Sequence, residues 1–158
     1  MAVTITIADW EFSVDTEATL IRTMQYSTDH CTCAYCRNYY ETLDMAHPRL
    51  RSVLGKFGIA VEGPCELMPL EPNIMLACYR VDGTIISRGQ TRIYVDDVSI
   101  APEEGENGTF LLWVGEMVLP WIQEEAMEDV ISPANEPEFL ERMAQKWAEL
   151  NEIDYMMS

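Results

Sequence analysis

The sequence predicts an α+β domain built mostly on an antiparallel sheet, with an N-terminal strand pair, two to three helices after it and a C-terminal amphipathic helix. Three observations carry this expectation. Apolar residues alternate through residues 3–14, the period of half-buried strands. Helical spacing takes over between Asp15 and Gly58 and returns beyond Ser132, with an apolar residue every three or four positions. Between those stretches lie β-branched and apolar runs separated by glycine, proline and acidic residues, as sheet segments joined by short connections require.

Each element follows from its residues. Val3, Ile5 and Ile7 share one face, and Trp10, Phe12 and Val14 make a second run, so two strands turn at Ala8-Asp9. Asp15 is placed to cap a helix, with Glu17 in the first turn where the helix dipole favours an acid. Leu20, Ile21, Met24 and Ser27 predict one buried stripe along that helix to about Asp29. Tyr39, Tyr40, Leu43 and Met45 predict a second helix, after a cysteine-bearing segment. Pro48 opens a short third one with Leu50, Val53, Leu54 and Phe57 inward, and Gly58 suits a left-handed stop.

Residues 61–73 carry Gly63-Pro64, Pro69 and Pro72 and read as loop or edge strand. Residues 74–79 and 84–87 flank Asp82-Gly83, the signal of a two-residue hairpin turn. Residues 91–100 read as one strand, 102–108 as an acidic loop, and 109–119 as a central strand ended by Pro120. The last helix is capped by Ser132 or Asn135 and begins at Pro133 or Pro137. Phe139, Leu140, Met143, Trp147 and Leu150 form its apolar stripe, and Glu136, Glu138 and Glu141 sit at its positive end. No repeat or linker interrupts the chain, so residues 1–158 read as one domain.

Charge is the strongest compositional signal. The net charge is −17, yet residues 1–95 hold 11 acids against 8 bases, while residues 96–158 hold 16 acids and, as bases, Arg142 and Lys146 alone. Such a field repels nucleic acid and anionic membrane and attracts a protein partner with a basic surface. It also serves solubility. Glu103, Glu104, Glu106, Glu124, Glu125, Glu128 and Asp129 are the partner-binding candidates, and the same acids suit a nucleic-acid mimic that occupies a basic groove. No basic stripe with interleaved aromatics supports direct nucleic-acid binding. No apolar run reaches the ~18 residues of a membrane span, and the N-terminus lacks the basic-then-apolar pattern of a signal peptide. The expected compartment is therefore the cytoplasm, where five cysteines are thiols or metal ligands.

Those cysteines carry the chemistry. The segment reads His30-Cys31-Thr32-Cys33-Ala34-Tyr35-Cys36-Arg37-Asn38-Tyr39-Tyr40. Cys33 and Cys36 form C-x-x-C, a spacing that converges two sulfurs on one tetrahedral metal, and Cys31 supplies a third. His30 completes the candidate set, although two neighbouring side chains rarely reach one ion. Cys65, Cys78 and His47 are the other donors that folding can bring near. Zinc suits this spacing. Reduced, partly buried thiols are the plainer reading, and thiol redox chemistry a third, with Cys36 near a helix N-terminus and beside Arg37.

Weaker constellations are Cys36 with His47 as nucleophile and base, and Asp96-Asp97 with Glu103-Glu104 as a magnesium or calcium site without EF-hand spacing. The C-x-C-x-x-C-R-N-Y stretch at residues 31–39, after a short β-rich start and a helix and followed late by Leu119-Pro120-Trp121, resembles a group of small acidic bacterial proteins of unassigned function. The resemblance implies no activity and no catalytic residue. The functional expectation is a non-enzymatic acidic interaction protein with a thiol-rich, zinc-stapled helical corner. The alternatives are an acidic mimic that inhibits a nucleic-acid-binding protein, and a thiol-dependent redox protein.

Overall fold

Residues 3–14 form the hairpin that their alternation predicts: β1 (Ala2–Ile7) pairs antiparallel with β2 (Trp10–Asp15), with Ile7 opposite Trp10. A computed structural model describes residues 2–28, 31–71 and 73–124. Helices α1 (Thr16–Thr28), α2 (Ala34–Ala46) and α3 (Leu50–Gly55) follow the hairpin. The remaining strands are β3 (Glu66–Glu71), β4 (Ile74–Ser87), β5 (Ile93–Val95), β6 (Val98–Glu104) and β7 (Thr109–Val118). The sheet runs β1-β2-β4-β7-β6-β5, with β3 on the free flank of β4. Every pairing in it is antiparallel. The predicted C-terminal helix lies outside the described residues, and among those described no helix is long and apolar enough to cross a membrane.

Strand β4 is the spine. Its first half lies between β3 and β7, and its second half leaves both and pairs with β2 through Gly83–Ser87. The predicted hairpin at Asp82-Gly83 is therefore absent. Glycine is needed there for close approach instead of a turn. At φ +155° Gly83 lies against β2, and an added Cβ would sit 2.0 Å from the Ser13 carbonyl oxygen. Asp82, freed from a turn, takes a two-bond ion pair from Arg22 of α1 at 2.8 and 2.9 Å.

The single strand expected over residues 91–100 is two. Asp96 and Asp97 both adopt left-handed backbone, φ 49° and 66°, and make the tight turn between β5 and β6. The acidic loop is correspondingly shorter, because β6 continues to Glu104.

Helix α1 corrects a second expectation. Asp15 caps it as predicted, accepting from the Ala18 N–H at 3.0 Å. Leu20, Ile21 and Met24, however, are exposed, and the inner face is Thr19 and Thr23. Their hydroxyls satisfy themselves at short range. Thr19 donates to the Asp15 carbonyl and accepts from the Asp82 N–H, and Thr23 donates to the Thr19 carbonyl and accepts from the Ala60 N–H. Their small size brings α1 very close to its neighbours; a Cβ on Gly63 would stand 1.7 Å from the Thr23 carbonyl oxygen.

Alternation along β4 and β7 divides the apolar residues between two faces. Met75, Ala77, Tyr79 and Val81 join Phe110, Leu112 and Val114 in the main core, with Trp10, Phe12, Tyr39, Leu43, Leu50, Leu54 and Phe57. Leu76 and Cys78 join Trp113, Met68 and Ala101 on the other face, where Cys65 packs against them. Across the main core Tyr39 of α2 donates its hydroxyl to that of Tyr79, which donates to the Val61 carbonyl at 2.7 Å.

Two substitutions test these assignments. Gly83→Ala forces a Cβ into the β2 backbone and should lower the unfolding free energy by about 2 kcal/mol or more; an unchanged urea midpoint would contradict the β4–β2 crossing. Thr23→Val strands the Ala60 N–H and should cost about 1–3 kcal/mol despite its added apolar surface. A stabilised Thr23→Val protein would return the inner face of α1 to the apolar residues.

Candidate metal centre

Helix α2 starts inside the cysteine segment. Cys33 is its N-cap, with extended backbone (φ −65°, ψ 164°), and its carbonyl accepts the first helical bond from the Arg37 N–H at 2.9 Å. Cys36 lies one turn in and is buried, Cys33 is half-buried, and Cys31 is exposed on the preceding stretch. Cys31 Sγ accepts from the Cys33 N–H at 3.4 Å. All three sulfurs lie within 4.8 Å of one another. Tetrahedral zinc–thiolate bonds of about 2.3 Å set sulfurs roughly 3.8 Å apart, so the cluster needs to contract by at most about an ångström to hold an ion. Three close cysteines that can bind a metal ion are thus present.

The thiols are unequal. Hydrogen bonds from the Cys36 thiol, and further ones from the Cys36 and Tyr35 amides and the Cys31 thiol, hold the Cys33 thiol down at about 5 against the opposing effect of burial. Cys36 is pushed up, first because its proton is held on Cys33 and then because it is buried. The expectation that Cys36 is the activated thiol is therefore corrected. The N-cap position receives the helix amides, and the residue one turn in supplies a proton to it.

The surroundings fix this corner. Asn38 donates to the Pro120 carbonyl and accepts from the Ile122 N–H, each at 3.0 Å. Tyr35 meets Trp121 edge to face at 5.5 Å. Arg37 donates to the Thr32 carbonyl at 3.2 Å and to Gln123 at 3.3 Å, and Gln123 donates to Glu41 at 2.8 Å. Residues 31–40 and 119–121, eighty positions apart in sequence, are in direct contact. Beside the thiols opens a cavity of about 240 Å³ lined by Cys31, Cys36, Tyr26, Tyr40, Cys65 and Glu66, among others. Cys65 is half-buried in its lining, and Cys78, bonded to Cys65 through its carbonyl, is 1 % exposed.

No family model, curated protein or solved structure matches this chain.

The other sequence candidates separate. No fourth cysteine, histidine or carboxylate among the described residues joins the three sulfurs, and His30 lies outside those residues. His47 is the C-cap of α2 and is bonded to the Val118 carbonyl at 3.1 Å. It is roughly 20 Å along the helix axis from Cys33 and about 16 Å from Cys36, which removes it both as fourth ligand and as base for Cys36. Asp96 is committed to Arg49, accepting from its guanidinium at 2.6 Å and its backbone N–H at 2.8 Å, and those bonds lower its pKa; it is a turn and ion-pair residue.

Glu103 is half-buried on β6, and Glu104 and Glu106 are exposed at the β6–β7 turn; Glu124 is exposed beyond the other end of β7 in the chain. Glu125, Glu128 and Asp129 lie outside the described residues. Sequence reading missed the Asn38 clamp and the Cys65–Cys78 pair. The latter follows from β3 and β4 being paired strands, a signal that Pro69 and Pro72 concealed.

A pH profile checks the thiol asymmetry. In metal-free protein, alkylation of Cys33 by iodoacetamide should rise with a midpoint near pH 5; a midpoint near the ordinary value of about 8.5 would remove the hydrogen bonds described. The folded pKa lies below the unfolded one. The contribution of Cys33 to stability is therefore complete above about pH 8.5 and is lost as pH falls through about 5.

Proposed function

We propose that this chain is a non-enzymatic acidic interaction protein whose helical corner is stapled by zinc on Cys31, Cys33 and Cys36. The convergence of three sulfurs within 4.8 Å at the start of a helix carries this reading. Soft thiolate donors select zinc over magnesium or calcium, which prefer oxygen. A bound ion would supply cross-linking: it would tie the short stretch ahead of α2 to the helix, whose first turns already hold residues 120–123 through Asn38 and Arg37. The same amides that stabilise the Cys33 thiolate lower the cost of deprotonating a ligand.

The partner half of the proposal rests on charge. A net charge of −17 with exposed Glu104, Glu106 and Glu124 favours a protein with a basic surface. The likeness to small acidic bacterial proteins is in keeping with this and adds no activity. One observation favours a second reading: the opposed displacement of Cys33 and Cys36 is the asymmetry of a C-x-x-C dithiol. That reading applies to a protein without metal.

Protein purified without added zinc should contain about one zinc per chain, and Cys33→Ser should lower the occupancy at least tenfold. A wild-type stoichiometry near zero would remove the metal and leave the dithiol. Partner capture should fall steeply between low and high salt as the field is screened; capture indifferent to salt would remove the charge-driven partner. Competition with DNA for that partner would mark the acids as a phosphate mimic.

A further inference from the structure

We propose that Cys65 and Cys78 form a second, redox-active dithiol, separate from the Cys31–Cys33–Cys36 centre, which exchanges with low-molecular-weight disulfides through the cavity beside α2. The geometry has three parts. First, the two thiols are already adjacent. Cys65 precedes β3, its N–H donates to the Cys78 carbonyl at 2.8 Å, and its thiol donates to the same oxygen at 3.2 Å. The neighbouring pair Glu66 and Cys78 are register partners in the β3–β4 ladder. Cys65 stands one residue before that pair and is held to Cys78 directly, by the two bonds to its carbonyl.

Second, both side chains belong to one face. Cys65 packs on the cluster that contains Cys78, Leu76, Met68 and Trp113, so the two side chains can be joined without any strand turning over. Third, their access differs. Cys65 lines the cavity of about 240 Å³, whereas Cys78 is 1 % exposed and does not line it. One thiol is placed to attack a disulfide that arrives from outside, and the other is buried behind it.

The electrostatics assign the same roles. The Cys78 thiol holds its proton on Cys65 and lowers the Cys65 pKa, while Cys78 is pushed up by that bond and by burial. In the forward step the Cys65 thiolate attacks one sulfur of a disulfide R–S–S–R. A Cys65–S–R bond forms and one thiolate leaves, taking the Cys78 proton. The Cys78 thiolate then attacks Cys65 Sγ, the Cys65–Cys78 bond forms, and the second thiolate leaves and is protonated by water. Two protein thiols are oxidised by two electrons, and one disulfide is reduced to two thiols.

The experiment uses the full chain with oxidised glutathione, in metal-loaded and chelator-treated forms, followed by alkylation, digestion and peptide mass spectrometry. Wild-type protein should give a Cys65–Cys78 linkage in both forms, so the outcome does not depend on zinc. Cys78→Ser should trap glutathione on Cys65, and Cys65→Ser should leave Cys78 unmodified while it remains folded. In untreated wild type, Cys65 should react with iodoacetamide at least tenfold faster than Cys78. Absence of a Cys65–Cys78 linkage in the metal-loaded form, faster reaction at Cys78, or a folded Cys78→Ser protein without an adduct at Cys65 would overturn the proposal, whereas a Cys33–Cys36 linkage confined to the chelator-treated form belongs to the other centre. The wild-type linkage and rate ratio decide it even if a variant does not fold.

Discussion

The hydroxyl chain from Tyr39 through Tyr79 to the Val61 carbonyl is the contact on which the rest of the thiol corner depends. Both rings are fully buried, and burial holds both hydroxyls protonated. A phenol buried without a partner costs about 1–3 kcal/mol, so rotation of α2 about its axis is penalised twice, at Tyr39 and at Tyr79. With that rotation set, the helical period places every other row. Tyr35, Tyr39 and Leu43 face the core, Cys36 and Tyr40 face the cavity, and Asn38 meets the chain at 120–122. One buried polar contact thus orients the metal-ligand candidates, the cavity wall and the clamp.

Strand β4 does the equivalent work for the sheet. Because it serves β3 and β7 in its first half and β2 in its second, it joins the N-terminal hairpin to the rest. The two-residue alternation sends Tyr79 into the main core and Cys78 to the opposite face. Cys65 reaches that opposite face from the sheet edge while its side chain still borders the cavity. All five cysteines of the chain therefore border one small region or lie directly behind it, although Cys31 and Cys78 are far apart in sequence.

The two thiol groups share a physical logic. In each, one sulfur is reachable and collects hydrogen bonds, and a more buried sulfur supplies a proton to it: Cys33 with Cys36, and Cys65 with Cys78. At α2 the stabilising donors include helix amides that lack intrahelical partners. At β3 they come from the paired strand. Thiolate formation near neutral pH is what both a soft metal and an exchanging disulfide require.

Much of this protein was legible in its residues. The period of two in residues 3–14, the Asp15 cap and the apolar run of β7 are local signals that form as read, and the short helix after Pro48 forms too but ends at Gly55, ahead of the left-handed Gly58. The C-x-C-x-x-C spacing allowed three sulfurs to converge, with Cys33 and Cys36 one turn apart at a helix start, and the fold of the stretch ahead of α2 brings Cys31 to them. Where reading failed, tertiary contact overrode a local rule. Asp82-Gly83 has turn chemistry, but β2 used the missing side chain for a backbone crossing. Leu20 and Met24 have the right period for a core face, but only threonine is small enough, and able to bond its own helix, where α1 meets Asp82 and Ala60. Secondary structure in most segments and the thiol cluster were readable from the chain because both rest on neighbours a few residues apart. Which thiol is activated, the distance that keeps His47 from acting on it and the contact of Cys65 with Cys78 emerge from the folded chain. Those outcomes depend on strand register, helix length and burial, quantities that no short stretch of chain contains.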